Sequence, residues 1–545
     1  MAQLRAGAPG VSGVSEALVA ALAAGGSVPA LAAGGWASAL AAEGWALAPG
    51  EWALAPEGSV PALTPGGWAP GLAPTGWGPG PFVVRVLEAV PDVVGERPIT
   101  ASQTNTSVVV GERLVVKWLR RPEPRPPVLA HLSAVGFAAT ARPYATVSVA
   151  SGDAEALIAT VVEYLPEAVD GYDWCTASAL AVPTEAASAV AEGAVGGPDS
   201  RAMGAVDGPD ATGAVDGPRA TGAVDGLGPT GAVDGPPAMR AVDGQGPMGA
   251  VDGPPAMRAV DATGAVDGPG AVSPVSGAGA VSGAGASGAG AGLGGVEVGA
   301  LLGVLTGELH GALGTASGLF GSPRGEVGDL EITGWVSRAE RAVGEAVEAI
   351  EAMDVGPVLP ADAPNDGRHP DPAVGLREDQ RWLRDHAPLL RDLVARLSTV
   401  RGPSPVQLIH GDLHVGQVLR WRDGYAVVDF DDNPVAPSPG ADPLEPVARD
   451  VAQMLCSIDY VGRIADRRTG GTRRARIDAW IRDARRAYLT AYRATPAGDS
   501  LDERLLTAFE VEQECRELIW AARVLPRWRY APMATLRSRV AILRS

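Results

Sequence analysis

Hydrophobic and polar positions follow two different periods along the chain, which divides it into a strand-rich part and a later helix-rich part. Around Phe82 the segment PFVVRVLEAV alternates as a strand does, and VVVGERLVVKWL predicts a hairpin that turns at 111–112. Residues 154–164 predict another strand, which ends at the Leu-Pro pair 165–166. The first globular part is therefore expected to be built on a sheet.

Apolar residues recur at helical spacing in the second part of the chain. The predicted helices are 298–313, 335–353, 378–397, 474–493 and 501–522, together with a short helix at 127–135 and a helix that begins near the sequence RDVAQML. His310 lies on the first of these long helices, and we expect it to be a packed core histidine rather than a ligand.

Two low-complexity tracts interrupt this pattern. Residues 1–82 repeat Trp after Gly in an Ala- and Pro-rich background, and AVDG recurs with a nine-residue period between residues 205 and 253. Such compositions bury too little apolar surface to fold alone. We predict an N-terminal cap region of low complexity at 1–82, a first lobe at 83–191, a disordered insertion at 192–297 and a second lobe at 298–545.

The net charge of −19 argues against a nucleic-acid partner, because neutralising phosphates requires a basic surface. Three scattered cysteines indicate neither a disulfide framework nor a zinc site. With a poor signal-peptide pattern and no long apolar run, this predicts a cytoplasmic protein that does not span a membrane. Lys117 is the only lysine in the sequence, which marks a position that arginine does not fill.

The densest polar cluster lies in 406–434, VQLIHGDLHVGQVLRWRDGYAVVDFDDNP. The pattern predicts a strand, a polar loop, a short strand, a turn at 423–424 and a second strand at 425–429. Asp412 is the candidate base for an attacking hydroxyl. The hard oxygen ligands of Gln417 and Asp429, with Asp431 as a further contact, suit Mg²⁺ on ATP phosphates.

HGDLHVGQ followed by VVDFDDNP resembles the catalytic and metal-binding segments of the aminoglycoside-phosphotransferase-like kinases. Gln417 and the DNP ending are similar to actinobacterial maltokinases and glucosamine kinases. The resemblance implies an α+β, bilobal, protein-kinase-like fold with a mostly helical second lobe, and it implies ATP and Mg²⁺ as cofactors.

The same resemblance implies roles in the first lobe. Lys117 would contact phosphates, and the hinge at Glu163, Tyr164 and Leu165 would face adenine. A polar loop would face the nucleotide with four residues: Thr104, Asn105, Thr106 and Ser107. The expected short helix carries no acidic residue to pair with Lys117, so either Glu123 serves from an irregular segment or Lys117 is held otherwise.

The C-terminal segment indicates which molecule accepts the phosphoryl group. There, Gln513, Glu517 and Trp520 share one helical face, and Trp528 follows. An amide, a carboxylate and an indole suit a sugar. The resemblance to glucosamine kinases implies that this sugar is a cationic aminosugar, and it adds His414 and Asp412 on the acceptor side. We therefore expect an ATP-dependent glucosamine kinase, monomeric or homodimeric. Maltokinase, aminoglycoside phosphotransferase and an inactive binding module are the alternatives.

Overall fold

The computed structural model describes residues 14–23, 52–54, 82–99, 105–124, 128–151, 154–181, 293–353, 372–422, 424–430 and 444–544. The AVDG repeat and most of the Trp repeat lie outside these residues, as do Thr104 and Asp431. The predicted disorder of the insertion and the domain boundaries therefore remain predictions.

A seven-stranded sheet forms the first part of the described chain. Its strands are β1 Trp52–Leu54, β2 Phe82–Val86, β3 Glu96–Pro98, β4 Thr106–Val110, β5 Leu114–Pro124, β6 Pro143–Ser151 and β7 Ala154–Glu163. They lie in the order β1-β2-β6-β7-β5-β4-β3, and only the β1–β2 pair is parallel. The predicted β4–β5 hairpin is confirmed, with φ of 59° at Gly111 and 52° at Glu112 in its turn.

One face of this sheet is covered by helix α1, Val14–Ala23, which belongs to the predicted cap region. Leu18, Val19 and Leu22 of α1 are buried with alternate sheet residues such as Val108 and Val116. The indole nitrogen of Trp118 also donates a hydrogen bond to the Ser15 hydroxyl at 2.9 Å. Strand β5 buries alternate residues, Leu114, Val116 and Trp118, as a strand with one face on a core does. In β4 the four residues from Ser107 to Val110 are all buried.

The rest of the chain is mainly helical. The helices are α2 Val128–Ala134, α3 Gly171–Ala181, α4 Gly295–Leu313, α5 Asp329–Glu351, α6 Pro372–Ala395, α7 Ala448–Arg468, α8 Arg474–Arg493, α9 Leu506–Arg523 and α10 Tyr530–Arg544. Two antiparallel pairs accompany them: β8 Arg324–Val327 with β9 Ser404–Gln407, and β10 Val418–Trp421 with β11 Gly424–Val427. The expected mixture of helix and sheet is confirmed.

Helix α7 is buried along almost its whole length and contacts α3, α8, α9 and α10. A helix surrounded in this way gives its side chains fixed positions, since neighbours restrict every rotamer. The residues of α7 that bind the loop after β9 are therefore held rigidly.

Helix α4 packs on α8 through a row of glycines spaced four residues apart. A methyl group added at Gly299 or Gly303 would meet the backbone carbonyl oxygen of Ala484 or Tyr488, so the two backbones touch directly. By length and apolar composition α4 is one described helix that could cross a membrane, but 56% of its apolar window is buried inside the protein. The apolar character of α4 therefore reflects core packing.

Two local predictions were wrong. The second strand of the polar cluster ends at Val427 rather than Asp429, because Asp429 has a φ of 69°, which no extended strand residue adopts. Thr106 and Ser107 lie in β4 rather than in a loop, because the run TSVVV pairs with β5 from its first residue.

Candidate active site

The polar loop that follows β9 is fixed through its backbone by α7. Both carboxylate oxygens of the buried Asp450 accept hydrogen bonds from the loop, one from His410 N at 2.8 Å and one from Gly411 N at 2.9 Å. Two turns later, the Ser457 hydroxyl accepts a bond from Val415 N at 3.1 Å. Burial disfavours an ionised Asp450, but the bonds from His310 and the loop lower the pKa of this carboxyl nonetheless.

His310 supports Asp450 from the opposite side. Its Nε2 lies 3.0 Å from Asp450 Oδ2, and its Nδ1 lies 2.8 Å from the Tyr492 hydroxyl. The prediction of a packed histidine is confirmed, since the side chain is fully buried. The structure adds that both ring nitrogens are hydrogen-bonded, so α4 and α8 together orient the carboxylate that holds the loop.

Asp412, the predicted base, is fully buried at the inner end of this loop. Its Oδ1 accepts a hydrogen bond from Gln453 Nε2 at 2.6 Å, and His414 Nε2 lies 3.9 Å from its Oδ2. Burial lowers the pKa of His414 to about 4, so this imidazole is neutral at physiological pH. Burial also lowers the pKa of His410, whose Nδ1 accepts a bond from Asp412 N at 3.3 Å.

The two predicted magnesium ligands lie at one end of the β10–β11 pair, Gln417 just before β10 and Asp429 just after β11. Val428 N donates to Gln417 O at 2.9 Å, so Gln417 lies beside the residue that precedes Asp429. The described residues contain no group of three or more His, Cys, Asp or Glu side chains that could hold a metal. An amide oxygen and one carboxylate nevertheless fit a Mg²⁺ ion whose remaining ligands are phosphate oxygens and water.

Lys117 forms an ion pair with Asp429 Oδ1 between the sheet and the β10–β11 pair. The paired residues of β4 and β7, Ser107 and Thr160, lie opposite Lys117 in the ladder and therefore share its face of the sheet. Helix α2 has no acidic residue, so Lys117 is held by Asp429. The backbone of Glu123 lies in β5.

The predicted hinge follows β7 directly. Glu163 N donates to Arg142 O and Tyr164 N donates to Arg113 O, each at 2.8 Å, so both donors are used inside the protein. Leu165 is buried with Ala141 of the sheet part and Ala426 of β11. The apolar group formed by Ala141, Leu165 and Ala426 lies between the sheet and the β10–β11 pair, where an adenine ring is expected.

A buried carboxylate at α9 defines the predicted sugar side. Trp528 Nε1 donates to Glu517 Oε2 at 3.1 Å, and Gln513 Nε2 lies 3.4 Å from Glu517 Oε1. Burial raises the pKa of Glu517 to about 7, although the bonds from Trp528 and Gln513 favour its ionised form. A cationic ligand beside Glu517 would favour the ionised carboxylate, because the charge of the ligand compensates for the hydration that burial removes.

Trp520 and Trp528 are both buried in the main hydrophobic core, and Trp528 supplies the indole that donates to Glu517. Tyr172 joins this group to the polar loop after β9, the candidate catalytic loop: its ring centroid lies 5.9 Å from that of His414 and 6.5 Å from that of Trp528. Burial and the nearby carboxylates of Glu517, Asp170 and Asp412 raise the pKa of the Tyr172 hydroxyl. Glu517 of α9 and Asp412 of the loop therefore both lie near Tyr172.

Sequence reasoning missed two contacts in this site. Gln453 follows Asp450 by one helical turn, a spacing that could have indicated a second contact with the same loop. Gly171 and Tyr172, which follow the predicted hinge, were assigned no role from the sequence. A side chain at 171 would overlap the carbonyl oxygen of Val415, so this glycine lets α3 approach the catalytic loop.

Curated relatives match most of the chain, although no protein-family model does. The glucosamine kinase of Streptacidiphilus jiangxiensis is 29% identical over 466 residues, which are 84% of this chain and 76% of the relative. The glucosamine kinase of Mycolicibacterium smegmatis is 30% identical over 453 residues, which are 81% of this chain and 79% of the relative.

Solved structures give the same result. A crystal structure of glucosamine kinase, crystal form B, is 27% identical with a TM-score of 0.52, covering 84% of this chain and 80% of that chain. A glucosamine kinase in complex with glucosamine, ADP and inorganic phosphate has the same identity and TM-score and covers 84% and 79%. The fold and the relatives together define a sugar kinase. The chain belongs to the glucosamine kinase family, which confirms the predicted class.

Proposed function

We propose that this protein is an ATP-dependent glucosamine kinase, which transfers the γ-phosphoryl group to the 6-hydroxyl and releases glucosamine 6-phosphate and ADP. The observation that carries the proposal is the position of Tyr172 between two groups. On one side lie Asp412 and His414 of the catalytic loop, and on the other lie Glu517 and Trp528. A sugar in this space would have a base at one end and a counter-charge at the other.

The reaction needs little covalent chemistry from the protein. The acceptor oxygen forms a bond to the γ-phosphorus while the bond from that phosphorus to the β–γ bridging oxygen breaks. The bonding electrons leave with ADP, and the acceptor proton passes to Asp412. Lys117 compensates phosphate charge as a compact cation, which suits its place opposite Ser107 in the sheet.

Mg²⁺, when bound, would neutralise phosphate charge, and Gln417 and Asp429 are the residues expected to hold it, with Asp431 as an additional ligand from the sequence motif. Lys117 and Asp429 pair across the two parts of the chain. We infer from this a bilobal, protein-kinase-like arrangement in which the nucleotide binds between the sheet and the helical part. The cytoplasmic location and the monomeric or homodimeric state remain predictions.

Substrate choice follows from charge at Glu517. The buried carboxylate of Glu517 pairs with the ammonium of glucosamine. Glucose and maltose offer this carboxylate only hydroxyl donors, which leave its charge uncompensated. Trp528 orients this carboxylate and offers an indole ring to the apolar face of a sugar. We therefore expect glucosamine to be preferred over neutral sugars.

The test is ADP release with Mg-ATP and, separately, glucosamine, glucose, maltose and kanamycin, followed by mass spectrometry and NMR to locate the phosphate. Asp412→Asn serves as the blank, since losing the base should cost about 10²- to 10⁴-fold in kcat. Turnover with glucosamine and phosphate on O6 supports the proposal. Turnover confined to maltose or kanamycin overturns it, as does turnover that persists in Asp412→Asn.

A further inference from the structure

Helix α7 presents three side chains to the catalytic loop from one face. Asp450, Gln453 and Ser457 are spaced three and four residues apart, which places them on consecutive turns. Asp450 and Ser457 bind backbone groups of the loop, at His410, Gly411 and Val415. Gln453, between them, binds a side chain instead, and that side chain is the base.

The contact between Gln453 and Asp412 is short and buried. Gln453 Nε2 donates to Asp412 Oδ1 at 2.6 Å, Asp412 is fully buried, and Gln453 is 5% exposed. Rotation of a carboxylate plane about its last torsion is soft, so a rotamer alone does not fix it. The donor from Gln453 on Oδ1 restrains this plane, and Oδ2 lies 3.9 Å from His414 Nε2, on the side of Tyr172.

We propose that Gln453 is a positioning residue that orients Asp412 and keeps it a base by hydrogen bonding without adding charge. The proposal rests on the proposed function, because it assigns Gln453 to the step in which the acceptor proton passes to Asp412 Oδ2. A Lys or Arg at this place would hold the carboxylate ionised too strongly to accept a proton. A Glu would compete for that proton.

Other titratable groups also face Asp412. His414 approaches from the same loop, Tyr172 from α3 and Arg516 from α9. His414 is neutral at physiological pH because burial lowers its pKa to about 4, and burial raises the pKa of Tyr172. Substitutions at Gln453 are therefore expected to affect Asp412 near neutral pH, while His414 and Tyr172 keep their protonation states.

The experiment compares wild type with Gln453→Leu and Gln453→Glu in the full chain, with steady-state kinetics from pH 5 to 9. Gln453→Leu removes the donor and should lower kcat about 10- to 100-fold, with little change in the KM for glucosamine, because misorientation of a base acts on the transition state. Gln453→Glu keeps the size and shape of the side chain but replaces its amide with a carboxyl group. It should lower kcat and move the acid limb of the kcat profile to higher pH, since two carboxyls compete for one proton.

The matched control is Gln380→Leu. Gln380 also donates through its side-chain amide, to Ile350 O at 3.0 Å, but it joins α6 to α5 outside the site. Its kcat and pH profile should equal those of wild type.

A Gln453→Leu protein with wild-type kcat and pH profile overturns the inference while leaving the proposed function intact. If that variant does not fold, Gln453→Glu decides alone: an unmoved acid limb with unchanged kcat overturns the inference. If wild type uses another acceptor but not glucosamine, the proposed function fails and the same variants are judged with that acceptor. Wild type without turnover on any acceptor overturns both.

Discussion

Lys117 of β5 and Asp429 of the segment after β11 form an ion pair that joins the sheet to the catalytic part of the protein, although 312 residues separate them in the sequence. Both side chains are largely buried, with 14% and 21% exposed. The helix that follows β5 offers Lys117 no carboxylate. Lys117, proposed to bind phosphate, and Asp429, proposed to hold Mg²⁺, are thus positioned by each other.

The substitution Lys117→Arg tests whether the role proposed for Lys117 requires a lysine. Arg keeps the charge but brings a planar fork where a compact ammonium pairs with Asp429, so we expect kcat/KM for ATP to fall about 100-fold. Steady-state kinetics at varied ATP would measure this loss. Because Lys117 is the only lysine in the chain, an amine-specific reagent should label it and the N-terminus alone, and ADP should protect it. Near-normal activity of Lys117→Arg would contradict the assigned role.

Glu517→Gln tests the aminosugar side. Loss of a carboxylate facing an ammonium should raise the KM for glucosamine about 10- to 100-fold, with a smaller effect on the KM for ATP. In wild type, the KM for glucosamine should rise as the pH falls below about 7, where Glu517 becomes protonated. Kinetics from pH 6 to 8.5 would show both effects. A KM for glucosamine that Glu517→Gln leaves unchanged would exclude this carboxylate as the counter-charge.

The same carboxyl affects stability in the unliganded protein. Its pKa of about 7 lies above the ordinary value of 4.5, so the folded state binds more protons than the unfolded state between these values. The contribution of Glu517 to the free energy of unfolding therefore falls as the pH rises through this range. Glu517→Gln should be more stable than wild type at pH 8, by up to about 3 kcal/mol, and equal to it near pH 4.5. Urea unfolding at the two pH values would measure the difference; a constant difference would contradict the raised pKa.

Asp450→Asn should loosen the catalytic loop. The amide replaces one acceptor with a donor, so either His410 N or Gly411 N loses its partner, at a cost of about 1–3 kcal/mol in stability. We expect kcat to fall about 100-fold because the loop carries Asp412. Asp385→Asn, on the exposed face of α6, is the control that should change neither quantity. Thermal unfolding with kinetics would decide, and wild-type kcat in Asp450→Asn would contradict the role of Asp450 in holding the loop.

The glycine row of α4 predicts opposite effects at two positions of one helix. Gly299→Ala places a methyl group against the Ala484 carbonyl and should destabilise the protein by about 1–3 kcal/mol. Gly311→Ala meets no atom within 4 Å and should be neutral or stabilising by about 0.5–1 kcal/mol, because alanine favours helix. Chemical denaturation of the two variants would measure this. Equal effects would show that α4 and α8 do not touch along this row.

The local pattern of apolar and polar residues was sufficient to predict many of the helices and strands. The hairpin at Gly111–Glu112, the strand β7 and the helix α8 agree closely with their predicted bounds, because strand alternation and helical spacing are properties of neighbouring residues. Local pattern failed at Asp429, where a strand was expected and the backbone turns to a positive φ. The Asp-Phe-Asp run contains no local signal for a turn at Asp429. The turn accompanies the ion pair between Asp429 and Lys117, which lie far apart in the sequence.

The sequence by itself determined which residues are candidates for the chemistry: the candidate base Asp412, the candidate ligands Gln417 and Asp429, the single lysine and the Gln513–Glu517 pair all stand in recognisable local motifs. Only the tertiary structure decided how they are held. That Gln453 binds Asp412, that Asp429 replaces a helix glutamate as the partner of Lys117, and that Trp528 rather than Trp520 reaches Glu517 all depend on contacts between distant segments. Such contacts arise from packing α7, α9 and the sheet around one site, and no spacing along the chain specifies the distances between those elements.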